Sequence, residues 1–216
     1  MKVCMLGIRR SGNSPVRNWI NEQFPESLQV INAPADVMQQ TEQFGDKDLV
    51  ISFEELPPQF LDQIECDRKV LILRDPFNLF ATRTRHYDAL SSGKRFIAPV
   101  AASLWKIYAD AFLAKNSDIL CINYNRFIVD VEYRKELSEK LGGTFSDESL
   151  DYVDDNGQGS SFDGVDFDGR AKEMPVFSRW EHYAEVPAFV DLFTPEIIEK
   201  SDKIFGEGPW TKSFTS

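Results

Sequence analysis

Lys2-Val3-Cys4-Met5-Leu6-Gly7-Ile8-Arg9-Arg10-Ser11-Gly12-Asn13-Ser14-Pro15-Val16-Arg17-Asn18-Trp19 is the stretch around which the rest of the chain is organised. Residues 3–6 are a short apolar run of the kind a buried strand needs, and Gly7 begins a turn that carries two arginines. Ser14-Pro15 then reads as a helix start, with Ser14 as N-cap and Pro15 at the first helical position. Strand, turn and helix N-terminus in this order make an anion cradle, because unpaired N–H groups converge where the helix dipole is positive. Two arginines beside such a turn suit phosphate or sulfate. On these residues alone, an ordinary strand-to-helix connection with solvated arginines fits equally well.

Outward from this stretch, the chain alternates short apolar runs with helical patterns. Residues 28–31, 48–53, 69–73 and 118–122 read as strands, and 69–73 (Lys-Val-Leu-Ile-Leu) is the clearest of them. Uninterrupted apolar strands belong in a parallel sheet covered on both faces. Helices are expected over 14–23, weakly over 35–43, briefly over 58–64, and over 132–141, where Gly142-Gly143 stops the pattern. Residues 97–115 place Ile97, Val100, Leu104, Tyr108 and Phe112 on a helical stripe expected to face the core. Asp75-Pro76 and Thr194-Pro195 are cap-and-start pairs, and residues 177–205 read as a helical tail. Alternating strands and helices call for right-handed crossovers in an α/β sheet.

Composition narrows the function. At 216 residues and 42% apolar, with 17 Phe, one domain over 1–216 is expected to build a sizeable core. A net charge of −11 argues against general binding of nucleic acid or an anionic membrane, so any anion site is a local basic pocket on an acidic body. Cys4, Cys66 and Cys121 lack metal-ligand spacing and read as reduced core thiols. Met1-Lys2 runs directly into the first strand without a signal-peptide pattern, and no apolar stretch of about 18 residues occurs, so a cytoplasmic protein is expected. Residues 142–169 carry eight acidic side chains, no Lys or Arg, and interspersed glycines, the pattern of a long, partly mobile loop or a lid that orders on a ligand.

A second stretch, Leu71-Ile72-Leu73-Arg74-Asp75-Pro76-Phe77-Asn78-Leu79-Phe80-Ala81-Thr82-Arg83, puts Arg74 at a strand end and Thr82 two turns into the next helix. An arginine fork and a hydroxyl so placed can reach one phosphate. With both stretches in view, the chain resembles the sulfotransferases that use 3′-phosphoadenosine-5′-phosphosulfate (PAPS). In that family a Pro-Lys-Ser-Gly-Thr-Thr-Trp-like loop holds the 5′-phosphosulfate, and a strand-ending Arg with a Ser eight residues on holds the 3′-phosphate. Arg9-Arg10-Ser11-Gly12-Asn13-Ser14-Pro15 matches the first signature, and Arg74-Asp75-Pro76 with Thr82 at the eight-residue offset matches the second. Ile122-Asn123-Tyr124-Asn125-Arg126-Phe127 is similar to the family's Tyr-Glu-Asp-Leu segment, and Arg179-Trp180 to its late Trp-containing stretch near the nucleotide. The resemblance covers nearly the whole chain.

The resemblance implies a three-layer α/β/α fold with a central, mostly parallel sheet, P-loop-NTPase-like in layout. It implies a nucleotide site of Arg9, Arg10, Ser11, Gly12, Asn13, Ser14, Arg74, Thr82, Arg179 and Trp180, which would hold PAPS or its product 3′,5′-adenosine bisphosphate (PAP) without a metal. The acceptor would be a hydroxyl of a carbohydrate or small molecule. Arg10 stands where the family has its sulfonate-bridging lysine, Pro15 replaces the Trp, and Asn125 replaces a glutamate. Glu54, at the end of the strand before Leu56-Pro57, is the first candidate base, and His86, one helical turn beyond Thr82, is the alternative. A P-loop-type kinase is a competing class, although residues 7–14 lack the Gly-Lys-Ser/Thr ending that serves phosphate and magnesium. A non-catalytic nucleotide-binding module on the same fold is the other.

Overall fold

The computed structural model describes residues 1–24, 29–33, 48–90, 98–154 and 159–208. Five strands form one sheet: β1 (Lys2–Gly7), β2 (Gln29–Ala33), β3 (Leu49–Glu54), β4 (Arg68–Leu73) and β5 (Ile119–Asn123), in the order β2-β3-β1-β4-β5. Every pairing is parallel. Alternate residues of β1 feed opposite faces: Cys4 and Leu6 join one apolar cluster, Val3 and Met5 the other, and all are fully buried. This two-sided burial is why the strands read as continuous apolar runs rather than alternating ones.

One face is covered by α1 (Asn13–Glu22), α4 (Tyr124–Val129) and α5 (Val131–Leu141), through Val16, Trp19, Ile20, Phe127 and Leu137. The other face is covered by α2 (Pro76–Leu90), α3 (Ala98–Leu113), the short α6 (Pro187–Val190) and α7 (Pro195–Phe205). The three-layer α/β/α expectation therefore holds. The chain crosses from β3 over β1 to β4, so the strand order switches direction there, and the loops after β1 and β4 open side by side at the C-terminal edge. Open α/β sheets bind ligands at such a switch point.

The structure departs from the sequence reading at several helix boundaries. Ser14 is not the N-cap of α1; Gly12, in the left-handed region at φ 90°, caps it, and Asn13 folds its amide back to Ile8 O at 3.1 Å. The α3 stripe faces the core at Tyr108, with Leu104 and Phe112 packed against it, but Val100 is 68% exposed and Ala101, Ala102, Trp105 and Ala109 are buried; Ile97 lies outside the described residues. The alanines let the helix close on the sheet. Trp105 Nε1 and Tyr108 OH meet the carbonyls of Arg74 and Leu56 at 2.9 and 2.6 Å only when turned inward. The helical tail consists of a 3₁₀ turn (Arg179–Tyr183), α6 and α7, with Pro187 and Pro195 each starting a helix. The 58–64 segment is a 3₁₀ helix, Pro58–Gln63. Asp75 and Thr194 cap α2 and α7 as expected, accepting from Asn78 N and Ile197 N. The three cysteines are free thiols, but only Cys4 is fully buried. The weak helix over 35–43 lies outside the described residues.

Candidate active site

Two glycines make the loop after β1 possible. A Cβ on Gly7 would run into the Asn13 amide, and one on Gly12 would run into the ring of Tyr124, where α4 crosses the loop. Between them Arg10 adopts φ 72°, a left-handed conformation that costs a non-glycine residue about 1–3 kcal/mol and persists only when its surroundings fix it. Arg74 supplies one such fixture: its Nη1 donates to Arg10 O at 3.3 Å. The two signature stretches are thus joined by a direct contact.

Above the loop lies a cleft of about 620 Å³, lined by Arg9, Arg10, Gly12, Asn13, Ser14, Glu54, Arg74, Thr82, His86 and Arg179 among others. Ten of the twelve residues singled out from the sequence therefore share one cavity. The other two do not reach it. Ser11 is fully buried, with Oγ donating to Ile8 O at 2.5 Å and its amide donating to the same carbonyl at 3.0 Å; it is the internal staple of the turn. Trp180 packs into the core beneath α2 and uses its backbone N–H on Asn78 Oδ1 at 3.4 Å. Both sit beside cleft residues in sequence, Ser11 in the turn after β1 and Trp180 in the 3₁₀ turn, where neighbouring side chains point in different directions.

At the back of the cleft two guanidinium groups meet one hydroxyl. Thr82 Oγ1 lies 3.3 Å from Arg74 Nη1 and 3.4 Å from Arg179 Nη1, and its own proton goes to Asn78 O at 2.7 Å. Arg74 also donates to Val176 O at 2.6 Å and lies over the Tyr124 ring. Burial, with Arg74 close by, pushes Arg179 down to about 10. Two buried like charges on a shared acceptor repel; an anion placed between them removes that cost.

At the front, Arg10 Nη2 lies 2.6 Å from His86 Nδ1. Arginine only donates, so Nδ1 accepts and the imidazole is neutral. Burial first, then the charges of Arg10, Arg9 and Arg83, hold His86 down to about 4. Glu54 accepts from Arg9 Nε at 3.1 Å on one oxygen and from Asn13 Nδ2 at 3.2 Å on the other.

The described parts of the acidic segment, 142–154 and 159–169, are tied to the body through arginines. Arg134 holds Asp147 at 2.8 Å, Arg17 holds Asp154 at 2.6 Å, and Arg179 holds Asp163 at 2.9 Å and Ser160 Oγ at 2.8 Å. Arg10 Nη1 donates to Gly159 O at 3.2 Å. Four of the segment's seven described carboxylates, Asp147, Asp151, Asp154 and Asp163, pair with a cation supplied by another part of the chain. Arg17, Asp154 and Asp163, together with Tyr124 under the loop, were not legible as site residues in the sequence; no local spacing connects them.

No family model matches the chain, and no curated protein matches it. Solved structures do. The chain is similar to a mouse sulfotransferase complexed with PAP, at 16% identity and a TM-score of 0.56, covering 100% of this chain and 85% of that one. It is also similar to the sulfotransferase domain of the Synechococcus olefin synthase, at 12% identity and a TM-score of 0.58, covering 97% and 96%. The fold is therefore that of the PAPS-dependent sulfotransferases.

Proposed function

We propose that this protein moves a sulfonate from PAPS to the hydroxyl of a small-molecule or carbohydrate acceptor. The carrying observation is the convergence of Arg74 and Arg179 on Thr82, a dicationic seat suited to the 3′-phosphate that distinguishes this nucleotide from AMP or ATP. The donor set fits the whole nucleotide: the loop amides, Arg9, Arg10 and Ser14 face the same cleft at the helix N-terminus, where a second phosphate is favoured. When bound, PAPS supplies an activated sulfur whose bond to the 5′-phosphate oxygen breaks as the acceptor oxygen bonds to it.

The chain's own residues would then do three things. Arg74, Thr82 and Arg179 hold the nucleotide by its 3′ end. Arg10 and Ser14 donate to the oxygen on which negative charge develops, the kind of preorganised electrostatics that is usually the largest catalytic contribution. His86 Nδ1 takes the acceptor proton once Arg10 has turned from it to the anion. Glu54, with both oxygens engaged, would anchor Arg9 and Asn13 rather than move a proton, which reverses the preference that its position in the sequence suggested. The likeness to a PAP-bound sulfotransferase supports this function. The acceptor class rests on the family resemblance.

Arg74→Ala is the direct test of the 3′ seat. Its affinity for PAP should fall by about 10- to 100-fold, the worth of hydrogen bonds to a charged group, while affinity for 5′-AMP changes little. Titration calorimetry reads both. Equal losses for the two ligands would show that Arg74 does not read the 3′-phosphate, and no binding of PAP to the wild type would remove the nucleotide assignment altogether.

Residues 142–169 are proposed to be a lid. Amide exchange across the segment should be fast without ligand and slow with PAP. Strong protection that is identical in both conditions would show a permanently packed region instead.

A further inference from the structure

Arg17 is a buried donor that the phosphate-binding group does not account for. It sits in α1, one turn after the loop, is only 8% exposed, and lines the same cleft. Both of its hydrogen bonds leave from Nη2, to Asp154 Oδ2 at 2.6 Å and, at the limit of bonding distance, to Asn18 Oδ1 at 3.5 Å. Nε is buried with no acceptor, and Nη1 makes no hydrogen bond among the described residues. A guanidinium with an idle buried donor is costly unless an acceptor arrives. None of its partners belongs to the Arg10–Arg74–Arg179 group, so it serves a different part of the cleft.

The surroundings select the chemistry of that acceptor. Pro15, Ile128, Leu150 and Val153 give apolar wall to the cleft that Arg17 lines, and Lys172, which also lines it, is paired with Asp151. Asp154, 9% exposed at its side chain, already neutralises Arg17. A further anion would have to compete with this carboxylate for the same guanidinium. An uncharged ring nitrogen need not: it can accept from Nε or Nη1 while the ion pair stays intact. Apolar walls and one polar edge are what a heteroaromatic base requires.

We propose that Arg17, oriented by Asp154, donates a hydrogen bond to a ring nitrogen of the nucleotide's adenine and is a specificity-determining residue; this rests on the nucleotide reading above. Discrimination comes from the donor that is left buried and idle when the base is missing. The residue touches no reacting atom, so it acts on affinity and on base selectivity.

The experiment compares PAP with ribose 3,5-bisphosphate, which keeps both phosphates and lacks the base. Binding is measured by calorimetry on the wild type, Arg17→Met, and the double variant Arg17→Met/Asp154→Leu, which avoids leaving the aspartate unpaired. Both variants should bind PAP about 10- to 100-fold more weakly and ribose 3,5-bisphosphate as well as the wild type does. Equal losses for the two ligands overturn the proposal. A second measurement needs no variant: the 1-deaza, 3-deaza and 7-deaza analogues of PAP are titrated into the wild type. One of them should lose a comparable factor, and parity of all three with PAP also overturns it. A wild type that binds neither bisphosphate sinks the nucleotide reading itself, whereas one that binds both equally tightly sinks only the role of Arg17.

Discussion

Arg10→Ala should lower kcat by about 10²–10³-fold while changing the affinity for PAP far less, because the charge that Arg10 meets develops as the sulfur–oxygen bond breaks. Two features of the loop set this expectation. The left-handed backbone at φ 72° sends the side chain into the cleft, and Arg74 braces the same residue's carbonyl at 3.3 Å. Its guanidinium is held at His86 Nδ1 and Gly159 O, at the mouth of the loop. Arg10→Lys keeps the charge as a compact ammonium but loses the fork that spans His86 and Gly159. It should recover part of kcat, and it separates the need for charge from the need for bidentate geometry. Single-turnover transfer of labelled sulfate to a panel of phenols, alcohols and glycans, with PAP titration in parallel, reads kcat and affinity separately. A drop in affinity matching the drop in rate would make Arg10 a ground-state binder, with no preference for the transition state.

Arg74 braces Arg10 and also contacts Thr82, so the two ends of the cleft share one side chain. Filling the 3′ seat pulls on the guanidinium that supports the strained residue at the reacting end. A nucleotide without the 3′-phosphate would therefore lose turnover as well as affinity, which is how remote binding energy reaches a reacting centre.

The parts of this site that were legible in the sequence are those set by local geometry. β1 and β4 were visible because a strand buried on both faces cannot alternate, and Val3–Leu6 and Val70–Leu73 carry no polar interruption. Arg74, Asp75 and Thr82 were visible because a strand end, a cap and two helical turns fix their relative positions. Ser14 was misassigned for a local reason: either Gly12 or Ser14 satisfies the rule for a cap, and Asn13, bonded to Ile8 O, decides between them. Ser11 and Trp180 were assigned to the nucleotide by their neighbours in sequence, whereas direction is set by the turn each occupies. Arg17–Asp154 and Arg179–Asp163 were illegible because the acid of each pair arrives on a segment that shares no periodicity with the arginine. The acidic run read as a long, partly mobile loop or a lid, and its composition alone does not show that three of its carboxylates face buried arginines.

His86→Asn should cost about 10²–10⁴-fold in kcat, the usual span for loss of a general base, whereas Glu54→Gln should cost little in the chemical step. Asparagine keeps a polar group of similar reach but cannot take a proton. Glutamine preserves the shape of Glu54 and an acceptor for Arg9 or Asn13, while removing the charge that balances Arg9. The pH profile adds a signature that a structural role would not produce. Burial and the charges of Arg10, Arg9 and Arg83 hold His86 down to about 4, so in the free enzyme it is neutral at pH 7 and able to accept a proton. Its limb in kcat/KM should therefore be flat through neutrality and fall only toward pH 4, since protonation removes the base. An anionic nucleotide beside Arg10 offsets the positive field and favours the imidazolium, so the acid limb of kcat should lie at higher pH than that of kcat/KM. The same shift is what the mechanism needs, because a base whose affinity for the proton rises as the nucleotide binds is better matched to neutral pH. His86→Asn should abolish the displacement between the two limbs. A fully active His86→Asn beside a dead Glu54→Gln would return the base to Glu54 and leave His86 as a spacer that keeps Arg10 in place.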